Sequence, residues 1–240
     1  MRWPPQPLEK AEEIRLDYIH LENRKGAFPL IRIYLARHGE TTWNAEGRIQ
    51  GWSDPELSPL GHAQSLALLD RLKDRPIKAI YTSPLQRSYM TALPIAKHLG
   101  FPVRKQTELK EIGFGILEGK NLFQFDEVLR QEWDRFKEDR FSYRIPGAEN
   151  YADVLNRLKP FVERVLCEHE GEEILIVGHR VVNRLLIGLF SNIPLEKTLK
   201  IEQTHDCLYL IERNERIRVF HCLNGEVKEG FLLVNGEVRL

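Results

Sequence analysis

The run Glu173-Ile-Leu-Ile-Val177 constrains this chain more than any other segment. Its large apolar side chains do not alternate with polar ones, so it does not suit a strand with one wet face. An uninterrupted apolar strand fits a sheet covered on both faces, as in parallel sheets sandwiched between helices. The rest of the sequence supplies such partners. Ile31 to Ala36 and Ile77 to Thr82 are short runs rich in β-branched and aromatic residues, and both read as strands. Between them Ser58 and Pro59 have the chemistry of an N-cap and a first helical position, opening a helix that runs through Ala63 to Leu72. Ser83-Pro84 is expected to open a helix that Gly100 ends. A charged helix is expected from Phe123 to Lys137, an amphipathic one from Tyr151 to Cys167, and a third from Val181 to Phe190. Strands that alternate with helices in this way predict an α/β fold, a three-layer α/β/α sandwich with a mostly parallel central sheet.

The two ends read differently. Pro4, Pro5 and Pro7 make the start extended, and Ile14, Leu16, Ile19 and Leu21 form a weak amphipathic pattern. Residues 1–30 are therefore expected to be an added arm or helix, lying on the main domain or on a partner subunit. Near the other end, Cys207 to Ile211 and Ile217 to Leu223 flank Asn214-Glu215. Asn224-Gly225 and Asn235-Gly236 are two-residue hairpin signals, so an antiparallel β meander is expected at the C-terminus. A turn centred on Asn214-Glu215 would set Cys207 opposite Cys222, where two buried free thiols are expected rather than a disulfide. The expected organisation is an arm at 1–30, a catalytic domain at 31–222 and a β-hairpin extension of that domain at 223–240.

Charge and composition exclude several function classes. The 240 residues carry 35 Lys+Arg against 35 Asp+Glu, which argues against a general binder of nucleic acid or of acidic membranes. No stretch of about 18 apolar residues exists to span a bilayer, and no signal-peptide core precedes Leu30. Three cysteines are too few for a disulfide scaffold and have no metal-ligand spacing. The cytoplasm is the expected location.

In a parallel sheet, ligands sit at the carboxyl edge, so the residues just past each predicted strand carry the most weight. Arg37-His38-Gly39-Glu40 follows the first strand, Ser83-Pro84-Leu85-Gln86-Arg87 the second, and Gly178-His179-Arg180 the most apolar one. Two histidines and two arginines thus converge on one edge from distant parts of the chain. Arginine offers forked donors that match phosphate, and histidine serves as nucleophile, acid or base near neutral pH. Singly, each has a plainer explanation: a hydrogen-bonded loop histidine, or a solvated arginine on a first helical turn. Their coincidence at strand ends is what points to anion chemistry. Gly113 to Gly119 resembles a dinucleotide glycine loop, but the last spacing is one residue too long and it opens no βαβ unit. A metal site built from His38, His179 and Glu40 would face repulsion from Arg37 and Arg87.

With these residues in view the sequence resembles a known family. Leu35-Ala-Arg37-His38-Gly39-Glu40-Thr-Thr42-Trp43-Asn44 is closely similar to the signature of the histidine phosphatase superfamily, also called phosphoglycerate-mutase-like. The likeness continues through Gly47-Arg-Ile-Gln50-Gly51 with Asp54, Leu57-Ser58 and Gly61. It runs on through Ser83 to Arg87, Leu109 to Ile112, Phe114-Gly115 and Glu118-Gly119, and ends at Val177-Gly178-His179, covering roughly residues 31 to 222. The resemblance implies a two-step phosphoryl transfer without a metal or other cofactor. His38 would carry the phosphoryl group as phosphohistidine, while Arg37, Arg87, His179 and Asn44 would hold its oxygens. Gln50 and Gly51 belong to the same substrate loop. Glu111 would protonate the leaving oxygen and then help water attack, which calls for a pKa raised by burial or by other acidic groups.

Mutase and phosphatase members share these residues. Mutases typically follow the glutamate with Arg-His-Tyr and carry a long basic insertion before the second histidine. Here Ile112-Gly113-Phe114 follows Glu111 and the span to His179 is compact, which favours hydrolysis over a phosphoglycerate mutase. A catalytically silent, ligand-binding relative is disfavoured because no catalytic position is lost. Tyr143 to Pro160 is very similar to the bisphosphatase half of the fructose-2,6-bisphosphate enzymes, in which residues matching Tyr151 and Arg184 hold the sugar phosphate. Arg140 stands where those enzymes have a basic contact, and Arg180 replaces a substrate-contacting glutamine. The plainer alternative is that Pro146 to Glu149 only makes the turn before the next helix and Tyr151 packs on it. A basic pocket of Arg140, Arg180 and Arg184 would favour a small, doubly anionic metabolite: a sugar bisphosphate, phosphoglycerate or phosphoserine. The arm and the meander are where homodimer contacts or a lid would be expected.

Overall fold

The computed structural model describes residues 29–234 and the backbone of 238–239. The arm expected at 1–30 lies outside the described residues except for Pro29 and Leu30. In chain order the elements are β1 (Ile31–Arg37), α1 (Thr42–Ala45), α2 (Pro59–Leu72), β2 (Ile77–Thr82), α3 (Gln86–Leu99) and β3 (Val103–Lys105). They continue with α4 (Glu127–Glu138), α5 (Tyr151–Glu168), β4 (Glu173–Gly178), α6 (Arg180–Ser191) and α7 (Leu195–Thr198). The chain closes with β5 (Leu208–Arg213), β6 (Ile217–Leu223), β7 (Glu226–Glu229), β8 (Phe231–Leu232) and β9 (Val238–Arg239).

The main sheet has the order β3-β2-β4-β1-β5-β6-β7. Its first four strands are mutually parallel, and β5, β6 and β7 add antiparallel. The apolar strand β4 lies at the centre of the parallel half, and all six of its residues are buried. Ile174 and Ile176 pack toward α5 and α6, and Leu175 and Val177 toward α2 and α3. Two covered faces explain why the run does not alternate.

The caps follow from local chemistry. Ser58 accepts from the Gly61 N–H at 3.1 Å, with Pro59 at the first turn of α2. Asn150 and Asp153 form a reciprocal capping box on α5, and Gly100 ends α3 in the left-handed region at φ +73°. Three expectations are corrected. Helix α3 begins at Gln86 rather than at Ser83-Pro84, because its first amides are capped from afar by Asp54, which accepts from the Gln86 N–H at 2.5 Å. The helix expected from Phe123 is a short 3-10 turn at Leu122–Gln124 followed by α4, because Asp126 caps Leu129 and restarts the helix. Leu208, not Cys207, stands opposite Cys222. The turn holds three residues, its Asn214 side chain accepting from the Arg216 N–H at 2.8 Å. Cys207 consequently packs with the α5/α6 face and Cys222 with the α2/α3 face, on opposite sides of the sheet. Both thiols are free, Cys207 buried and Cys222 half-buried.

The antiparallel strands beyond Asn224-Gly225 form as expected. The Asn235-Gly236 turn itself lies outside the described residues, but β8 and β9 pair as a separate two-stranded sheet. Among the described residues no helix is long and apolar enough to cross a membrane.

Two glycines bring α2 against the loop that leaves β1. A Cβ on Gly61 would stand 2.0 Å from the Glu40 carbonyl oxygen, and one on Gly39 would stand 2.5 Å from the Gly61 oxygen. Gly61→Ala is therefore expected to destabilise the fold by about 1–3 kcal/mol, the usual cost of overpacking, and to shift the loop carrying His38. Urea unfolding measures the first effect and the loss of catalytic activity the second.

Candidate active site

The ends of β1, β2 and β4 bring the predicted residues together. Arg37 is the last residue of β1, and the His38 N–H donates to the Gly178 carbonyl at the end of β4 at 2.9 Å. His179 is the residue before α6. The His38 and His179 rings lie 5.1 Å apart. His38 is buried, and its Nδ1 lies 2.7 Å from the Gly39 carbonyl. A carbonyl only accepts, so Nδ1 carries the proton and Nε2 keeps its lone pair. Nε2 is thus the nitrogen able to act as a nucleophile. His179 Nε2 meets Ser83 Oγ at 2.7 Å at the end of β2.

Both imidazoles are held neutral. Burial and then the Arg87 charge are the leading causes that push each well below the ordinary histidine value. Arg87 is only 1 % exposed. Its guanidinium donates to the Gly51 and Ser53 carbonyls at 2.7 and 2.6 Å, with Asp54 at 3.4 Å. Burial lowers its pKa, and Glu111 and Asp54 counter that shift. Burial, and after it the nearby Arg180 charge, brings Arg37 down to about 10. Arg37 Nε, Arg87 Nε and His179 Nδ1 are buried nitrogens without a hydrogen-bond partner among the described residues. Unmet buried donors are costly unless an acceptor satisfies them.

Glu111 is 8 % exposed, and its carboxylate accepts from the Ile112, Val181 and Val182 N–H groups at 3.0, 3.3 and 3.4 Å. It caps the first turn of α6 beside His179. Burial was expected around it and is present. Other acidic groups were the alternative to burial, and the groups that donate to its carboxylate are backbone amides.

The remaining predicted residues are differently engaged. Asn44 closes a capping box with Thr41 on α1, its Oδ1 accepting from the Thr41 N–H at 3.1 Å and leaving the Nδ2 donors for other partners. Gln50 Oε1 is buried and unpartnered. Gly51 has φ +55°, and a Cβ there would meet Glu118 Oε1 at 2.1 Å. Its carbonyl holds Arg87 rather than facing outward. Tyr151 is buried, its ring 6.1 Å from Phe136 and 5.5 Å from Phe141. The Arg140 carbonyl accepts from the Tyr151 N–H at 2.8 Å. Arg184 is buried and donates through Nε to the Ile201 carbonyl at 2.7 Å. Arg180 forms a two-pronged ion pair with Glu202.

Sequence reasoning missed His205 and Glu202. The His205 ring lies 5.3 Å from the His38 ring, and its Nδ1–H donates to the His38 carbonyl at 2.6 Å. Burial and the Arg37 charge hold it neutral, down to about 3. A usable signal existed: β5 runs antiparallel to β1, so the start of β5, not its end, lies at the carboxyl edge.

Neutral imidazole beside buried, unmet cationic donors defines an enzyme that captures an anion and attacks it. Similarity to known proteins narrows that class. Residues 33–225 match the family described as the histidine phosphatase superfamily (branch 1). The chain is 32% identical over 195 residues to phosphoserine phosphatase 1 of Hydrogenobacter thermophilus, covering 81% of this chain and 92% of that protein. It is 34% identical over 174 residues to an Arabidopsis thaliana 6-phosphofructo-2-kinase/fructose-2,6-bisphosphatase, covering 71% of this chain and 22% of that protein. The mycobacterial glucosyl-3-phosphoglycerate phosphatase complexed with VO3 superposes with a TM-score of 0.69 at 26% identity, covering 78% of this chain and 96% of that one. The chain belongs to branch 1 of the histidine phosphatase superfamily and is an enzyme of the phosphatase type.

Two buried histidines and the half-buried His205, all held neutral, make stability depend on pH. Below about 6.5 the unfolded chain protonates His38, His179 and His205 while the folded chain does not, so stability falls as pH falls. Denaturant titrations between pH 6.5 and 5 should show this loss. His205→Asn should reduce the slope by up to about 1.4 kcal/mol per pH unit, one proton's worth.

Proposed function

We propose that the chain is a metal-independent phosphomonoesterase acting on a small phosphorylated metabolite through a phosphohistidine on His38. The observation that carries this reading is the fixed tautomer of His38, a buried imidazole on which the Arg87 and Arg37 charges act, each of those arginines having an Nε without a partner among the described residues. In the first step Nε2 forms a bond to phosphorus while the ester P–O bond breaks, and Glu111 supplies the proton to the departing alcohol oxygen. In the second step water attacks phosphorus, the P–N bond breaks, Glu111 recovers a proton, and inorganic phosphate leaves. Arg37, Arg87, His179 and the Asn44 amide are the donors suited to the charge on the phosphoryl oxygens. The arginines also disfavour a cation at this position, consistent with charge stabilisation by the protein alone.

Hydrolysis rather than mutase transfer is supported by Ile112-Gly113-Phe114 after Glu111 and by the phosphatase named among the relatives of comparable length. The test is phosphate release from p-nitrophenyl phosphate, O-phosphoserine, 3-phosphoglycerate and fructose bisphosphates, with EDTA present. Release should survive EDTA and vanish in His38→Ala. Conversion of 3-phosphoglycerate to 2-phosphoglycerate without release would overturn hydrolysis in favour of the mutase.

The acid role of Glu111 has its own signature. An alkoxide leaves poorly without a proton, whereas p-nitrophenolate leaves readily. Glu111→Gln should lower kcat on an alkyl phosphate by roughly 10²–10⁴ fold and on p-nitrophenyl phosphate by much less. Equal losses on both would refute proton donation by this residue.

A further inference from the structure

The rim of the site beside His179 is not the open basic pocket that three arginines would suggest. Arg180 donates through Nε and Nη2 to the two oxygens of Glu202 at 3.1 and 2.6 Å. Arg184 Nη2 lies 4.0 Å from the same carboxylate, and Arg184 Nε is already committed to the Ile201 carbonyl. The pair stays accessible: the Arg180 side chain is 51 % exposed and that of Glu202 is 18 % exposed. It also belongs to the site: Arg180 directly follows His179, and the carbonyl of Gln203, next to Glu202, accepts from Arg37 Nη1 at 3.3 Å. Glu202 is rigidly mounted. Its N–H donates to the Leu232 carbonyl at 2.8 Å, and its own carbonyl accepts from the Tyr209 hydroxyl at 2.9 Å.

A second phosphate on the substrate would need unpaired cations here, and it would meet a carboxylate that already engages both neighbouring guanidinium groups. A zwitterion fits better. Its carboxylate can take the Arg180 Nη1 donors, which the ion pair leaves unused, and its ammonium can take the remaining lone pair of Glu202 Oε2, since Oε1 already accepts from Arg180 Nε and from the Gln203 N–H at 3.2 Å. Resting on the phosphomonoesterase reading above, we propose that Arg180 and Glu202 form the leaving-group subsite. Glu202 is its specificity-determining residue, selecting phosphate esters of amino-acid-like, zwitterionic alcohols over esters that carry a second phosphate.

The test is binding to the His38→Ala protein, which removes turnover, with O-phosphoserine and fructose 2,6-bisphosphate as probes. The parent is expected to bind O-phosphoserine more tightly. Adding Glu202→Gln should weaken O-phosphoserine about tenfold and strengthen the bisphosphate about tenfold, since Arg180 and Arg184 lose their counter-charge. A second variant, Arg180→Gln with Glu202→Gln, keeps the shape while removing both charges, and should bring the two affinities together. Tighter bisphosphate binding by the parent, equal changes for both probes, an unchanged ratio in the double variant, or no binding of either probe would each overturn the proposal. Kinetics on proteins that retain His38 separate the two readings. Absent hydrolysis with the expected binding ratios would count against the phosphatase reading alone.

Discussion

A guanidinium carries its charge at any physiological pH, so burying one obliges the surrounding chain to solvate it. Arg87 imposes that requirement here, and much of the site results from meeting it. Its acceptors come from one loop, through the carbonyls of Gly51 and Ser53 and the carboxylate of Asp54. The same Asp54 caps the first amides of α3, so the helix that carries Arg87 and the loop that solvates it lock each other in place. Glu118 then holds that loop by accepting from the Trp52 and Ser53 amides while also taking the Phe114 N–H. One buried cation thereby ties three separate stretches of chain to the edge of the sheet.

That arrangement also explains how the histidines come to be reactive. Burial first of all disfavours a protonated imidazole here, and the arginine charges add to that, so the neutral form prevails at His38, His179 and His205. Neutrality alone would leave the tautomer of His38 open. The Gly39 carbonyl decides it, and His205 fastens the carbonyl end of the same residue. The groups proposed as nucleophile, charge stabilisers and proton donor are all positioned by backbone groups as much as by one another.

The parallel half of the fold was legible because its physics is local. Unbroken burial of β4 shows as an unbroken apolar run, and the caps of α2 and α5 lie within three residues of what they cap. The candidate site was legible for the same reason, since each predicted residue directly follows a recognisable strand or lies in a motif of the family. What escaped depends on distance or orientation. Asp54 caps a helix more than thirty residues away, and no local pattern announces a tertiary cap. His205 and Glu202 precede an antiparallel strand, whose start rather than end shares the edge with β1. The pairing of β5 with β6 slipped by one because a three-residue turn replaced a two-residue one, and a one-residue slip exchanges the faces of the sheet.

The reversal of direction at β5 also divides the labour of the molecule. Groups assigned above to the phosphoryl unit come from the parallel strands and their crossovers, whose positions are dictated by the doubly covered core. On the proposed reading, groups that meet the rest of the substrate come largely from the short link between α7 and β5, which is anchored by β5, the hydroxyl of Tyr209 and the carbonyl of Leu232. Changes in that link would then retune which alcohol is accepted without moving His38. A lineage built on this plan can diversify its diet while inheriting its chemistry intact.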